Sequence, residues 1–182
     1  MKLISDINRK VGRFVLDKEL KQRNRPVVVY NNFISSSTVG LIFVAEDKRL
    51  LNLAKEFMSY IEERGIRVFG LAFVSKSDLI GYFPYRKGVD YFGLDKLNWY
   101  GKPLDEGIEE FIERPFDILI DISLSDIYPV EYIFALSKAK FKICNNSSKA
   151  QFADFVLNLN RTNDLELFIE QIKHYLETIE TK

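Results

Sequence analysis

The chain opens with apolar residues at steps of three and four: Leu3, Ile4, Ile7, Val11, Phe14 and Val15. That spacing places them on one side of a helix, which the polar, turn-prone residues 22–26 end near Gln22. Residues 27–30 follow as a short extended segment before the polar loop NNFISSST. The period then changes. GLIFVA (residues 40–45) is a continuous apolar run of strand length, and Glu46 and Asp47 are helix-start residues. Leu50, Leu51, Ala54, Phe57, Met58 and Ile61 form the apolar face of the next helix, with Gly65 where a left-handed C-terminal cap belongs.

IRVFGLAFV (residues 66–74) is a second buried strand, and FDILIDI (residues 116–122) is a third. Between them the pattern weakens to a short helix near Asp78, a short strand at residues 89–92 and a helix over residues 103–113 that Arg114 and Pro115 end. Ser125 or Asp126 is expected to cap a helix with Pro129 in its first turn, running to about Ala139. Residues 141–144 and 155–159 are two further strands. Thr162 or Asn163 opens a last helix whose stripe is Leu165, Phe168, Ile169, Ile172, Tyr175, Leu176 and Ile179.

Strands that alternate with helices require crossover connections, so the sheet is expected to be mostly parallel. Strands apolar at nearly every position imply burial on both faces. The predicted fold is therefore a three-layer, doubly wound, Rossmann-like α/β sandwich with an N-terminal amphipathic helix. No linker or repeat marks a boundary, so residues 1–182 are expected to form a single domain, with residues 1–25 as a possible appendage or dimerisation element.

Composition narrows the setting. Hydrophobic residues make up 47% of the 182 and charged residues 29%, an ordinary globular balance at a length that needs no disulfide or metal staple. One cysteine, Cys144, and the lack of any long apolar run point to a reducing, cytoplasmic location. Lys and Arg number 26 and so do Asp and Glu, so the whole chain has no field to gather nucleic acid or anionic lipid. Residues 1–25 are the exception, with eight basic against three acidic residues and hence five excess positive charges. Three readings follow for this basic helix, in descending rank: packed on the domain, exchanged between subunits of a homodimer, or an attachment arm for membrane or nucleic acid through Arg9, Lys10 and Arg13.

Candidate chemistry follows from topology, because open α/β sheets place their crevice beyond the carboxyl ends of the strands, where strand order reverses. If the first and third clear strands are neighbours, Glu46, Asp47 and Asp121 meet there as acid/base or cation-holding groups. Ser75, Lys76, Ser123, Ser125, Asn145 and Asn146 are the candidate ligand-binding residues, suited to a phosphate-bearing small molecule. The plainer reading makes Asp47 and Asp126 helix caps. Trp99 to Pro103 either stack on a ligand or cover the sheet edge. With one histidine, His174, on the solvent side of the last helix, and one cysteine, neither a soft-metal site nor a histidine-based triad is expected. No phosphate-binding glycine loop occurs, and no cofactor is identified.

Through FDILIDISLSDIYPVEYIFALSKAKFKIC and LNWYGKP the chain resembles a family of short uncharacterised bacterial α/β proteins. Residues 115–144 also resemble a segment of the Rossmann-like heptosyltransferases. The first likeness implies no activity and the second implies the fold. The leading expectation is a non-catalytic domain that binds a small molecule or another protein. The alternatives are an enzyme acting on a phosphorylated or nucleotide-linked metabolite, and surface attachment through the N-terminal helix.

Overall fold

The computed structural model describes residues 6–75, 87–145, 147–157 and 164–179. Six strands form one sheet in the order β3-β2-β1-β4-β5-β6, and every pair is parallel. They are β1 Thr38–Val44, β2 Arg67–Val74, β3 Val89–Gly93, β4 Ile118–Asp121, β5 Phe141–Cys144 and β6 Phe155–Val156. The helices are α1 Asp6–Gln22, α2 Lys48–Glu62, α3 Glu106–Glu113, α4 Tyr128–Leu136 and α5 Leu165–Thr178. The expected doubly wound, Rossmann-like architecture is what the chain adopts.

Alternation along each strand sorts side chains into two cores. Val39, Leu41, Phe43, Ile118, Ile120, Phe141 and Ile143 face α2 and α5, whose Phe57, Met58, Phe168 and Ile172 complete one layer. Ile42, Val44, Leu119 and Cys144 face the other way, toward α1, α3 and α4. Cys144 is buried there as a small hydrophobe. Gly40 is needed where it stands, because a Cβ would lie 2.8 Å from both Leu119 and Phe116.

Several boundaries differ from the sequence reading, each for a local reason. Residues 27–30 form no strand and make a single rung, Val29 N–H to Lys140 O. Helix α3 begins at Glu106 rather than residue 103, since the Asp105 carboxylate accepts the Gly107 N–H while Pro103 bridges to Leu97. Neither Ser125 nor Asp126 caps α4: Ile127 precedes it, while the Ser125 hydroxyl donates to Glu46 and the Asp126 carboxylate accepts from Ser148. The same helix stops at Leu136, before Ala139. The Lys142 amine takes its last carbonyls, and the Ala139 N–H donates to Ser137 Oγ. Asp164 caps α5 by accepting the N–H groups of Glu166 and Leu167; Thr162, Asn163 and the expected helix near Asp78 lie outside the described residues. His174 is exposed, as its position opposite the apolar stripe requires.

The N-terminal helix holds the largest surprise. It packs on α4, yet through Gly12, Leu16 and Leu20 rather than through the apolar stripe, and Ile7 and Phe14 are 72% and 71% exposed. The contact is close and polar. A Cβ at Gly12 would come within 2.7 Å of the Tyr128 ring, Tyr132 Oη donates to Glu19 at 2.6 Å, and Lys102 reaches the same carboxylate at 2.7 Å. The Trp99 turn lies against this helix, with Asn8 donating to the Trp99 carbonyl. No helix among the described residues is long and apolar enough to cross a membrane.

Candidate functional site

Strand order reverses between β1 and β4, so the loops after these two strands form the crevice where doubly wound sheets hold ligands. The structure fills much of that place with the protein's own bonds. Asp121 is fully buried, its Oδ2 accepts from Lys149 Nζ, itself fully buried, and its Oδ1 accepts the Ser123 N–H at 2.8 Å. Two charges out of water are tolerable only as a well-bonded pair, and each holds the other in place. Asp47 is used as the cap of α2, accepting the Leu50 N–H at 2.9 Å. Glu46 is exposed and accepts from Ser125 Oγ at 2.8 Å. Asp126 accepts from Ser148 Oγ.

The expected meeting of Glu46, Asp47 and Asp121 therefore does not form. Among the described residues no three acidic, histidine or cysteine side chains are grouped to hold a metal ion. What remains at the rim is a cavity of about 40 Å³ walled by Glu46, Ser123 and Ser125 over apolar side chains. Ser123 Oγ and Asn145 Oδ1 are buried there or nearby with no partner among the described residues. Ser75 is half-buried at the end of β2, while Lys76 and Asn146 lie outside the described residues.

The other end of α4 is built differently. Side chains of β5 alternate, so Phe141 and Ile143 enter one core while Lys142 enters the other beside the helix terminus. Its amine is 1% exposed by residue and donates to the carbonyls of Phe134 and Ala135, both at 3.0 Å. Those carbonyls have no partner within the helix, so the lysine completes the C-terminal turn. Burial pushes the amine down to about 7, and the nearby Arg25 pushes it further while Asp154 opposes. A neutral amine still has two N–H groups, enough for both carbonyls.

Lys142 forms part of the wall of a cavity of about 200 Å³ between the segment after α1 and the end of α4. Arg23, Arg25, Lys138 and Lys142 line it together with Asn24, Ser137 and Gln151, and among the described residues no Asp or Glu does. The arginines are held by acids outside the lining: Arg25 by Asp154 at 2.6 Å, and Arg23 by Glu113 at 2.6 Å and Glu109 at 2.5 Å. Lys138 also reaches Glu113. Bonded in this way, the two guanidiniums are positioned before any ligand arrives, and an anion entering the cavity meets Arg23, Arg25 and Lys138, the titratable amine of Lys142, and the polar side chains of Asn24, Ser137 and Gln151.

Sequence reasoning missed this cavity. One signal was present: Lys142 is the only charge inside the apolar FKIC strand, and a strand buried on both faces must give such a charge a partner. Lys149 carried no comparable signal, since it sits in a polar stretch that reads as an ordinary loop.

Comparison with known proteins adds one match. Residues 8–179 match the Family of unknown function (DUF6913). None of the curated proteins matches the chain.

Proposed function

Since the chain belongs to the Family of unknown function (DUF6913), which brings no activity with it, we propose from the structure that it is a non-catalytic binding domain for an anionic small molecule. The observation that carries this reading is the cavity lining: Arg23, Arg25, Lys138 and the almost wholly buried Lys142, with no carboxylate among the described residues of the wall. A phosphate or carboxylate group suits such a wall, because guanidinium and ammonium donors make their strongest hydrogen bonds to ionised oxygen. An anion beside Lys142 would also favour the charged amine, so binding near neutral pH should draw in a proton. A cytoplasmic setting fits the single buried thiol. The likeness of residues 115–144 to heptosyltransferases falls on β4, α4 and β5, the unit between the two ends described above, and supports no transfer chemistry by itself.

A thermal-shift panel of inorganic phosphate, a nucleoside monophosphate and citrate tests the reading by mass action. At least one should raise the melting temperature, and Lys138→Ala or Arg25→Gln should remove the rise measured against each variant's own baseline. Titration calorimetry in buffers of different ionisation enthalpy should show proton uptake. If no anion raises the melting temperature, or the rise survives both substitutions, the cavity is not the site.

A second reading keeps the rim as an enzymatic or binding site for a phosphorylated or nucleotide-linked metabolite. It is supported by the orphaned Ser123 Oγ and Asn145 Oδ1, two buried polar atoms with bonds still to make. The same panel separates the readings, because Ser123→Ala should abolish the shift for a rim ligand and leave it intact for a cavity ligand.

A further inference from the structure

Helix α1 has two faces that do different things. At 100° per residue, Gly12, Leu16, Glu19, Leu20 and Arg23 lie within an arc of about 100°, the arc that contacts α4 and its neighbours. Lys10, Phe14, Lys21, Ile7 and Lys18 lie within about 80° on the opposite side. All five are exposed. We propose that this outer face of α1 docks on an anionic lipid membrane, with Ile7 and Phe14 entering the interfacial region and Lys10, Lys18 and Lys21 meeting lipid phosphates.

Charge and shape select this occupant. Among the described residues the three lysines have no ion-pair partner, and the helix's nearby Glu19 is turned inward to Lys102 and Tyr132. An α1-to-α1 contact with a second copy would set lysines against lysines with only Asp17 close to the face, which like-charge repulsion disfavours. Nucleic acid would satisfy the lysines and leave two large apolar side chains in the middle of the contact without a use. A lipid interface accepts both: apolar side chains along the centre of the strip and ammonium groups at its flanks are the arrangement of helices that lie in the interfacial plane. The opposite face is already tied down by Gly12, Leu16 and Glu19, so the surface is presented as a formed helix and docking needs no folding step.

Sedimentation of the full chain with vesicles decides it. Vesicles of equal parts phosphatidylcholine and phosphatidylglycerol should carry the protein down at low salt and release it at high salt, while pure phosphatidylcholine should not. Replacing both Ile7 and Phe14 by Ser should lower the bound fraction about tenfold or more, because burial of these side chains is lost, with no change in melting temperature. Lys10→Glu combined with Lys18→Glu should abolish binding. The proposal is overturned by no binding to anionic vesicles, or by binding that ignores the two serine substitutions. It is equally overturned if the serines instead erase a concentration-dependent dimer, or if duplex DNA is retained and vesicles are not.

Discussion

The two ends of helix α4 each place a buried lysine against the sheet, and they handle the charge in opposite ways. At the amino end Lys149 meets the Asp121 carboxylate with both side chains fully buried, so the charges cancel and little space remains. At the carboxyl end Lys142 donates to main-chain carbonyls instead of a carboxylate, its amine loses affinity for the proton, and an open cavity of about 200 Å³ adjoins it. The first arrangement is a finished structural bond. The second leaves electrostatic capacity unused, and in a folded protein that is where a ligand has something to gain. The usual rule for doubly wound sheets points to the first end, and the chemistry of the side chains points to the second.

The sharpest way to break this contrast is to remove one partner at the closed end. Asp121→Ala strands a buried ammonium and should lower stability by about 3–5 kcal/mol in urea unfolding, while adding Lys149→Met should recover most of that loss. A single-variant loss near zero would mean that the pair is not structural.

The open end should instead reveal itself in pH dependence. In the unfolded chain Lys142 keeps its proton up to its ordinary value of 10.5, whereas the folded protein releases it near 7. Between those values the unfolded state binds more protons, so stability should rise with pH across that window. Lys142→Met should remove a slope worth up to about 5 kcal/mol in total, measured as the difference between the two proteins' denaturation curves. Parallel curves for the two proteins would refute the lowered proton affinity.

The smallest expected effect returns to the rim. Asp47→Ala should cost about 1 kcal/mol through loss of the α2 cap and leave any anion-induced thermal shift unchanged. A lost shift would return Asp47 to its place among the candidate acid/base groups.

Much of the fold was legible residue by residue. GLIFVA, IRVFGLAFV, FDILIDI and FKIC are strands because each is a short run apolar at most positions, and the helices between them force parallel pairing. Asp47 as a cap and His174 in solvent followed from position alone. The site was much less legible. Asp121 was located correctly at the switch point, but nothing in a polar stretch such as SSKAQF announces that its lysine will be fully buried against that carboxylate. The α1 stripe failed for a related reason: periodicity shows that a helix has an apolar side, and it does not say which surface that side will meet.

The sequence by itself determined the local states of the chain, because hydrophobic period, caps and turn residues act within a few positions of one another. Strand order, the pairing of Asp121 with Lys149 across 28 residues, the cation-lined cavity and the outward turn of Ile7 and Phe14 were decided only in three dimensions. There, desolvation and close packing between distant segments determine which charges are cancelled and which faces stay open.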